Sequence, residues 1–253
     1  MDTIKPTIFE YFLRLGDSSL ILGHRLSEWC GHAPILEEDI ALTNISLDLV
    51  GQARTLLTFA GETEGRGRTE DDLAYRRDER HFRNVLLVEQ PNGDFGCTIV
   101  RQFLFSAFTA LLWEELKMSN DTRLAAFAEK ALKEVTYHLR HSSEWLIRLG
   151  DGTQESHRRM QDAVDGLWRC TGDMFEMSDA EHTLVKEGLV PDATLLKPRW
   201  DKNIAGVFSK ANLAVPQNVF MMTGSHEGKH TEHLGYLLAE MQFLPRSYPG
   251  AKW

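Results

Sequence analysis

LAAFAEKALKEVTYHLRHSSEWLIRL, residues 124–149, carries the cleanest repeat in the chain. Leu124, Ala128, Ala131, Val135, His138, Ser142, Trp145 and Leu149 recur at alternating spacings of four and three. At 3.6 residues per turn these positions fall on one stripe, the seam of an antiparallel helical bundle. Ser119-Asn120-Asp121 upstream supplies a residue to cap the helix, and Gly150-Asp151-Gly152 ends it.

Working outward, the neighbouring segments read the same way. Residues 97–117 carry Ile99, Val100, Phe103, Leu104, Phe108, Leu111, Leu112 and Trp113 on nearly every face, so this helix is expected to be buried on most sides. Residues 82–96 are apolar and β-prone, then turn-rich, and predict an ordered, extended excursion. Residues 61–81 are highly charged and predict a solvated connection with one short helix. Before them, Leu42, Ile45, Leu49, Leu56 and Phe59 define an amphipathic helix that starts at Glu37-Glu38-Asp39 and ends near Gly61. The first segment, residues 6–32, is helical in pattern, with a kink or break expected at Gly16-Asp17 and Gly23. Downstream, helices are expected over 153–177 and 225–243, with short helices and loops over 178–223. The reading is all-α: one helical domain over 1–253, a core up-down bundle at about 6–150 and additional helices at about 153–243.

Composition sets the function classes aside in turn. With 253 residues, 42% hydrophobic and 26% charged, the chain is neither collagen-like, wholly disordered nor a disulfide-stapled miniprotein. Lys and Arg number 28 against 37 Asp and Glu, a formal charge of −9, which repels phosphate backbones and argues against a nucleic-acid partner. No run of 18 apolar residues occurs, so no membrane span is expected. MDTIKPTIFEYF lacks a basic region followed by an apolar one and reads as a mature cytoplasmic start. Cys30, Cys97 and Cys170 are odd in number and far apart, and read as reduced, mostly buried thiols.

Two metal chemistries come into question. His226-Glu227-Gly228-Lys229-His230 is a literal HExxH, which in zinc hydrolases sets two imidazoles one helical turn apart with a glutamate to polarise water. Only 23 residues follow His230 to supply a third ligand, and His233 stands where the longer motif needs glycine. A di-iron bundle needs a glutamate from each of two helices and Glu-x-x-His from each of two others. Here Asp48 is followed at +3 by Gly51, and Glu134 at +3 by Tyr137, with His138 and His141 nearby. No acid lies between Asp94 and Glu114. Asp48, Glu134 and His138 remain as a possible buried polar cluster. Neither GxSxG nor a phosphate-cradling glycine loop is present, so no catalytic, cofactor-binding or metal residue is assigned. Arg76-Arg77, Arg158-Arg159 and Lys197-Pro198-Arg199 read as solvated faces able to meet an acidic ligand.

FRNVLLVEQPNGDFGCTIVRQFLFSAF (82–108), LEEDIALTNISLDLVGQAR (36–54), EVTYHLRHSSEWLIRLGDGT (134–153) and GKHTEHLGYLLAEMQ (228–242) resemble the structural, non-metal subunits of bacterial phenylacetyl-CoA epoxidases. The resemblance spans nearly the whole chain. It implies a ferritin-like fold and a non-catalytic role in aerobic phenylacetate degradation. The implied partners are an obligate di-iron catalytic subunit, other small complex subunits and a reductase carrying FAD and an iron–sulfur centre. It implies no cofactor in this chain and assigns it no catalytic residue. The 97–117 helix and the 82–96 excursion are the expected contacts with the catalytic subunit. The alternatives are a metalloenzyme in its own right, as a degenerate di-iron oxygenase or a zinc hydrolase through His226, Glu227 and His230, and a homodimeric helical binding protein.

Overall fold

The computed structural model describes residues 4–251. Among them are ten α-helices and no strand, in agreement with the all-α reading. They divide into two compact units: one takes the chain up to Pro91 together with the residues from Gly224 onward, and the other is Asn92–Thr223.

The first unit is built on α1 (Ile4–Ser27) and α2 (Leu36–Glu64). The two run antiparallel, since Gly16 of α1 meets Leu57 of α2 while Gly23 meets Ser46, Leu49 and Val50. α1 is one continuous helix, without the break expected at its glycines. A Cβ at Gly16 would lie 2.9 Å from the Leu57 side chain, and one at Gly23 would lie 3.0 Å from Val50. These glycines let the two helices approach closely, and the packing they permit outweighs their poor intrinsic helicity. α2 ends at Gly65, whose φ of 73° and N–H bond to the Gly61 carbonyl form the left-handed cap that glycine favours. A short α3 (Glu70–Tyr75) follows, opened by a reciprocal capping box between Thr69 and Asp72.

Residues 82–88 are ordered turn and coil, and Phe82, Val85, Leu86, Leu87 and Val88 are all buried. Their strand propensity finds no partner strand among the described residues. Their backbone is tied to α1 side chains instead: Val85 N–H donates to Ser18 Oγ at 3.1 Å and Arg83 N–H to Asp17 Oδ2 at 2.9 Å.

The second unit centres on α4 (Phe95–Leu116) and α5 (Thr122–Gly150). Trp113 packs edge-on against Phe127, and Phe95 against Trp145, so this pair is antiparallel too. Asp121 caps α5 through the Arg123 and Leu124 amides, as the sequence predicts. The seam is buried from Leu124 to Ser142, then passes to Leu146 and Gly150 in place of Trp145 and Leu149. A straight helix drifts off a strict seven-residue repeat, which accounts for the change. α6 (Gln154–Trp168), α7 (Asp179–Lys186) and α8 (Lys197–Lys210) complete the unit.

α8 packs on α4: the Trp200 indole donates to the Leu104 carbonyl at 3.1 Å, and Phe208 lies 6.1 Å from Phe103, ring centre to ring centre. By length and apolarity α4 could cross a membrane, but 83% of its apolar window is buried inside the chain, the pattern of a core helix.

The C-terminal segment departs from the expected single helix over 225–243. Ser225–Glu227 is a 3-10 turn, α9 spans Glu232–Met241, and α10 spans Phe243–Ser247. Gly228 separates the turn from α9 with φ 74°, and a Cβ there would collide with the Arg80 carbonyl. Of the three free thiols, Cys170 is buried, Cys97 is half-buried and Cys30 is exposed, so the expectation of mostly buried cysteines fails at Cys30.

Candidate functional site

The HExxH residues do not form a zinc site. His226 and His230 are not one turn apart on a helix, because the Gly228 left-handed turn lies between them. The His226 ring accepts from Arg14. Glu227 is exposed and ion-paired with Lys229.

His230 turns inward, its side chain wholly buried, as is that of Glu89. Its Nδ1 meets Glu89 Oε2 at 2.9 Å and its Nε2 meets the Phe82 carbonyl at 3.0 Å. A carbonyl can only accept, so Nε2 donates to it, and when the ring is protonated Nδ1 donates to the Glu89 carboxylate as well. Burial alone would push the His230 pKa down. The Glu89 hydrogen bond and charge, with help from the Phe82 carbonyl and the Asp17 charge, outweigh it and hold the pKa above the ordinary 6.5. Glu89 is further engaged by Asn84 Nδ2 at 2.8 Å, Thr231 N–H at 2.6 Å and Thr231 Oγ1 at 2.7 Å.

A second buried charge pair lies in the same unit. Asp17, on the inner face of α1, holds the buried Arg77 guanidinium through both carboxylate oxygens and also accepts from Arg83 N–H. Arg77 donates to the His81 carbonyl at 2.8 Å and stands 4.3 Å from the centre of the Phe82 ring. Arg77 is therefore not the solvated residue its place in a basic run suggests.

The ferritin-like di-iron ligand set does not fit these residues. Asp48 lies on α2, and Glu134 and His138 lie on α5. Asp48 is half-buried on α2, and Gly51 faces open space. Glu134 is half-exposed, 3.7 Å from Lys130. Tyr137, where the pattern needs histidine, is exposed and stacks on His141. His138 is fully buried. Among the described residues no three His, Cys, Asp or Glu side chains gather as a metal site would require.

One cleft of about 760 Å³ opens in the first unit between the start of α1, the end of α2 and the segment after α3. Pro6, Phe9 and Leu13 give it apolar lining, and Lys5, Arg66 and Arg68 supply charge. Much of that charge is already used, since Arg68 forks onto Glu64 at 2.7 Å and Arg83 reaches Glu10 at 2.7 Å. The other basic runs are paired at the surface: Arg158 and Arg159 with Glu155, Lys197 with Asp201, and Arg199 with Glu114 and Glu115.

The expected contact surfaces also need correction. Most of α4 and residues 82–88 are buried within this chain, whereas Pro91 and Gly93, later in the 82–96 excursion, are exposed. Sequence reading passed over Asp17, Asn84 and Glu89 as well. Glu89 directly follows the apolar run Val85-Leu86-Leu87-Val88, and a lone acid in that position signals a paired buried charge.

The whole chain, residues 1–253, matches the family described as phenylacetic acid catabolic protein. It is also 50% identical, over 243 residues, to one of the subunits of the 1,2-phenylacetyl-CoA epoxidase of Escherichia coli (strain K12), a match covering 96% of this chain and 98% of that one. The chain belongs to the phenylacetic acid catabolic protein family and is all-α and ferritin-like, the fold class that its sequence segments imply.

Proposed function

We propose that this chain is a non-catalytic structural subunit of a cytoplasmic 1,2-phenylacetyl-CoA epoxidase, pairing with a di-iron catalytic subunit and stabilising it. The similarity to the E. coli epoxidase subunit, at 50% identity over nearly the full length of both chains, carries the reading. The residues at the ligand positions support it: Gly51 and Tyr137 stand where a di-iron bundle needs histidines, and α4 offers no acid before Glu114. A catalytic bundle must bury several carboxylates, which opposes its folding. A rigid helical neighbour offsets that cost by holding the ligand helices in register and excluding water.

Co-expression with the catalytic subunit and size-exclusion chromatography test the pairing. Co-elution in fixed stoichiometry is expected, and separate elution of two well-folded chains would refute it.

A further inference from the structure

PNGDFG, residues 91–96, leads the chain into α4 and holds its only Asn-Gly pair, Asn92-Gly93. An asparagine amide is most open to attack by the next backbone nitrogen when the next residue is glycine, because no Cβ shields that nitrogen or restricts its approach. The other six asparagines are each followed by a larger residue.

The structure leaves the nucleophile accessible. Gly93 is exposed, with φ 59°, and its N–H donates to no other group among the described residues. Attack by this nitrogen therefore breaks no existing hydrogen bond. The electrophile is polarised. Asn92 Oδ1 accepts from Arg101 Nη2, and Thr98 Oγ1 stands 3.5 Å from the same oxygen. A guanidinium offers only donors, so it is the amide oxygen and not the nitrogen that faces Arg101. Thr98 also holds the Asn92 main chain, donating to its carbonyl at 3.0 Å. Both Thr98 and Arg101 are fully buried on α4, so these donors are fixed by a core helix. Attack at Cγ places negative charge on Oδ1, and a preorganised cationic donor at that atom is the arrangement that stabilises it.

We propose that Asn92 is a site of intramolecular deamidation, with the Gly93 nitrogen as nucleophile and Arg101 stabilising the charge on Oδ1. A bond forms between the Gly93 nitrogen and Asn92 Cγ. The Cγ–Nδ2 bond breaks, and the amide nitrogen leaves as ammonia, taking the Gly93 proton. Water then opens the five-membered ring to aspartate or isoaspartate, with no change of oxidation state. Aspartate at this position gives Arg101 a charged acceptor where it had a neutral one, and charge-assisted bonds are the stronger kind. The inference is independent of the subunit role proposed above.

The test follows residue 92 by peptide mass spectrometry in the full-length chain, aged at mildly alkaline pH either folded in buffer or unfolded in urea. The mass gain of an amide becoming an acid should appear at Asn92 and not at the other asparagines of the folded chain. It should accumulate in the folded chain at least about tenfold faster than in the unfolded one, since only folding places Arg101 on the amide oxygen. Arg101→Met should slow the folded-state reaction by about tenfold or more.

A folded chain that keeps its Asn92 amide, or loses it more slowly than the unfolded chain, would overturn the proposal. So would an Arg101→Met variant of wild-type helicity that deamidates at the wild-type rate. If that variant does not fold, the folded and unfolded wild-type rates decide the question alone.

Discussion

Replacing Glu89 by alanine is expected to lower the unfolding free energy by about 3–5 kcal/mol, because it leaves a buried charge uncompensated. The His230 imidazolium would lose its counter-ion, and Asn84, Thr231 N–H and Thr231 Oγ1 would lose their acceptor in the same stroke. The effect should appear as a lower urea midpoint. A loss under about 1 kcal/mol, the net worth of an ordinary hydrogen bond, would show that the node is not the buried ion pair described above.

The pH dependence has a definite sign. His230 binds its proton more tightly folded than unfolded, so its stabilisation is fully present below pH 6.5 and is lost as pH rises through its raised folded value. His24 behaves oppositely: burial lowers its pKa, so its contribution is present above pH 6.5 and is lost as pH falls through the lowered value. Wild type should therefore be most stable near pH 6.5, and Glu89→Ala should lose most of the decline on the alkaline side.

Asp17→Ala should be comparably damaging, again by about 3–5 kcal/mol, since it strands the buried Arg77 guanidinium. It also removes the acceptor for Arg83 N–H, which anchors the buried 82–88 segment to α1. The two charges act as a unit, so the double variant Asp17→Leu with Arg77→Leu should cost clearly less than the sum of the single losses. Additive losses in chemical denaturation would mean that the pair is not coupled.

How far the sequence revealed the molecule depended on which force dominated locally. The α5 seam and its Asp121 cap were legible because periodicity and capping chemistry are local signals. The continuity of α1 was not, because Gly16 and Gly23 look like helix breakers until Leu57 and Val50 are placed against them. The start of α9 was misplaced for the converse reason. SHEGKH has helical spacing, but Gly228 sits in a left-handed turn against the Arg80 carbonyl, a tertiary constraint no pattern announces.

The apolar runs of α4 and 82–88 invited an interface reading that burial within the chain withdraws. For the charged nodes, sequence could supply the unusual residues, Asp17 and Glu89, but not their partners at Arg77 and His230, which lie 60 and 141 positions away.

The central claim is that this chain supports an oxygen-activating subunit without itself holding the metal. The most direct measurement is phenylacetyl-CoA epoxidation by the catalytic subunit and reductase, with and without this chain, alongside iron content resolved by subunit. The account predicts turnover that requires this chain, with the iron residing in the catalytic subunit. Full turnover in its absence, or a di-iron centre bound by this chain's own side chains, would contradict it.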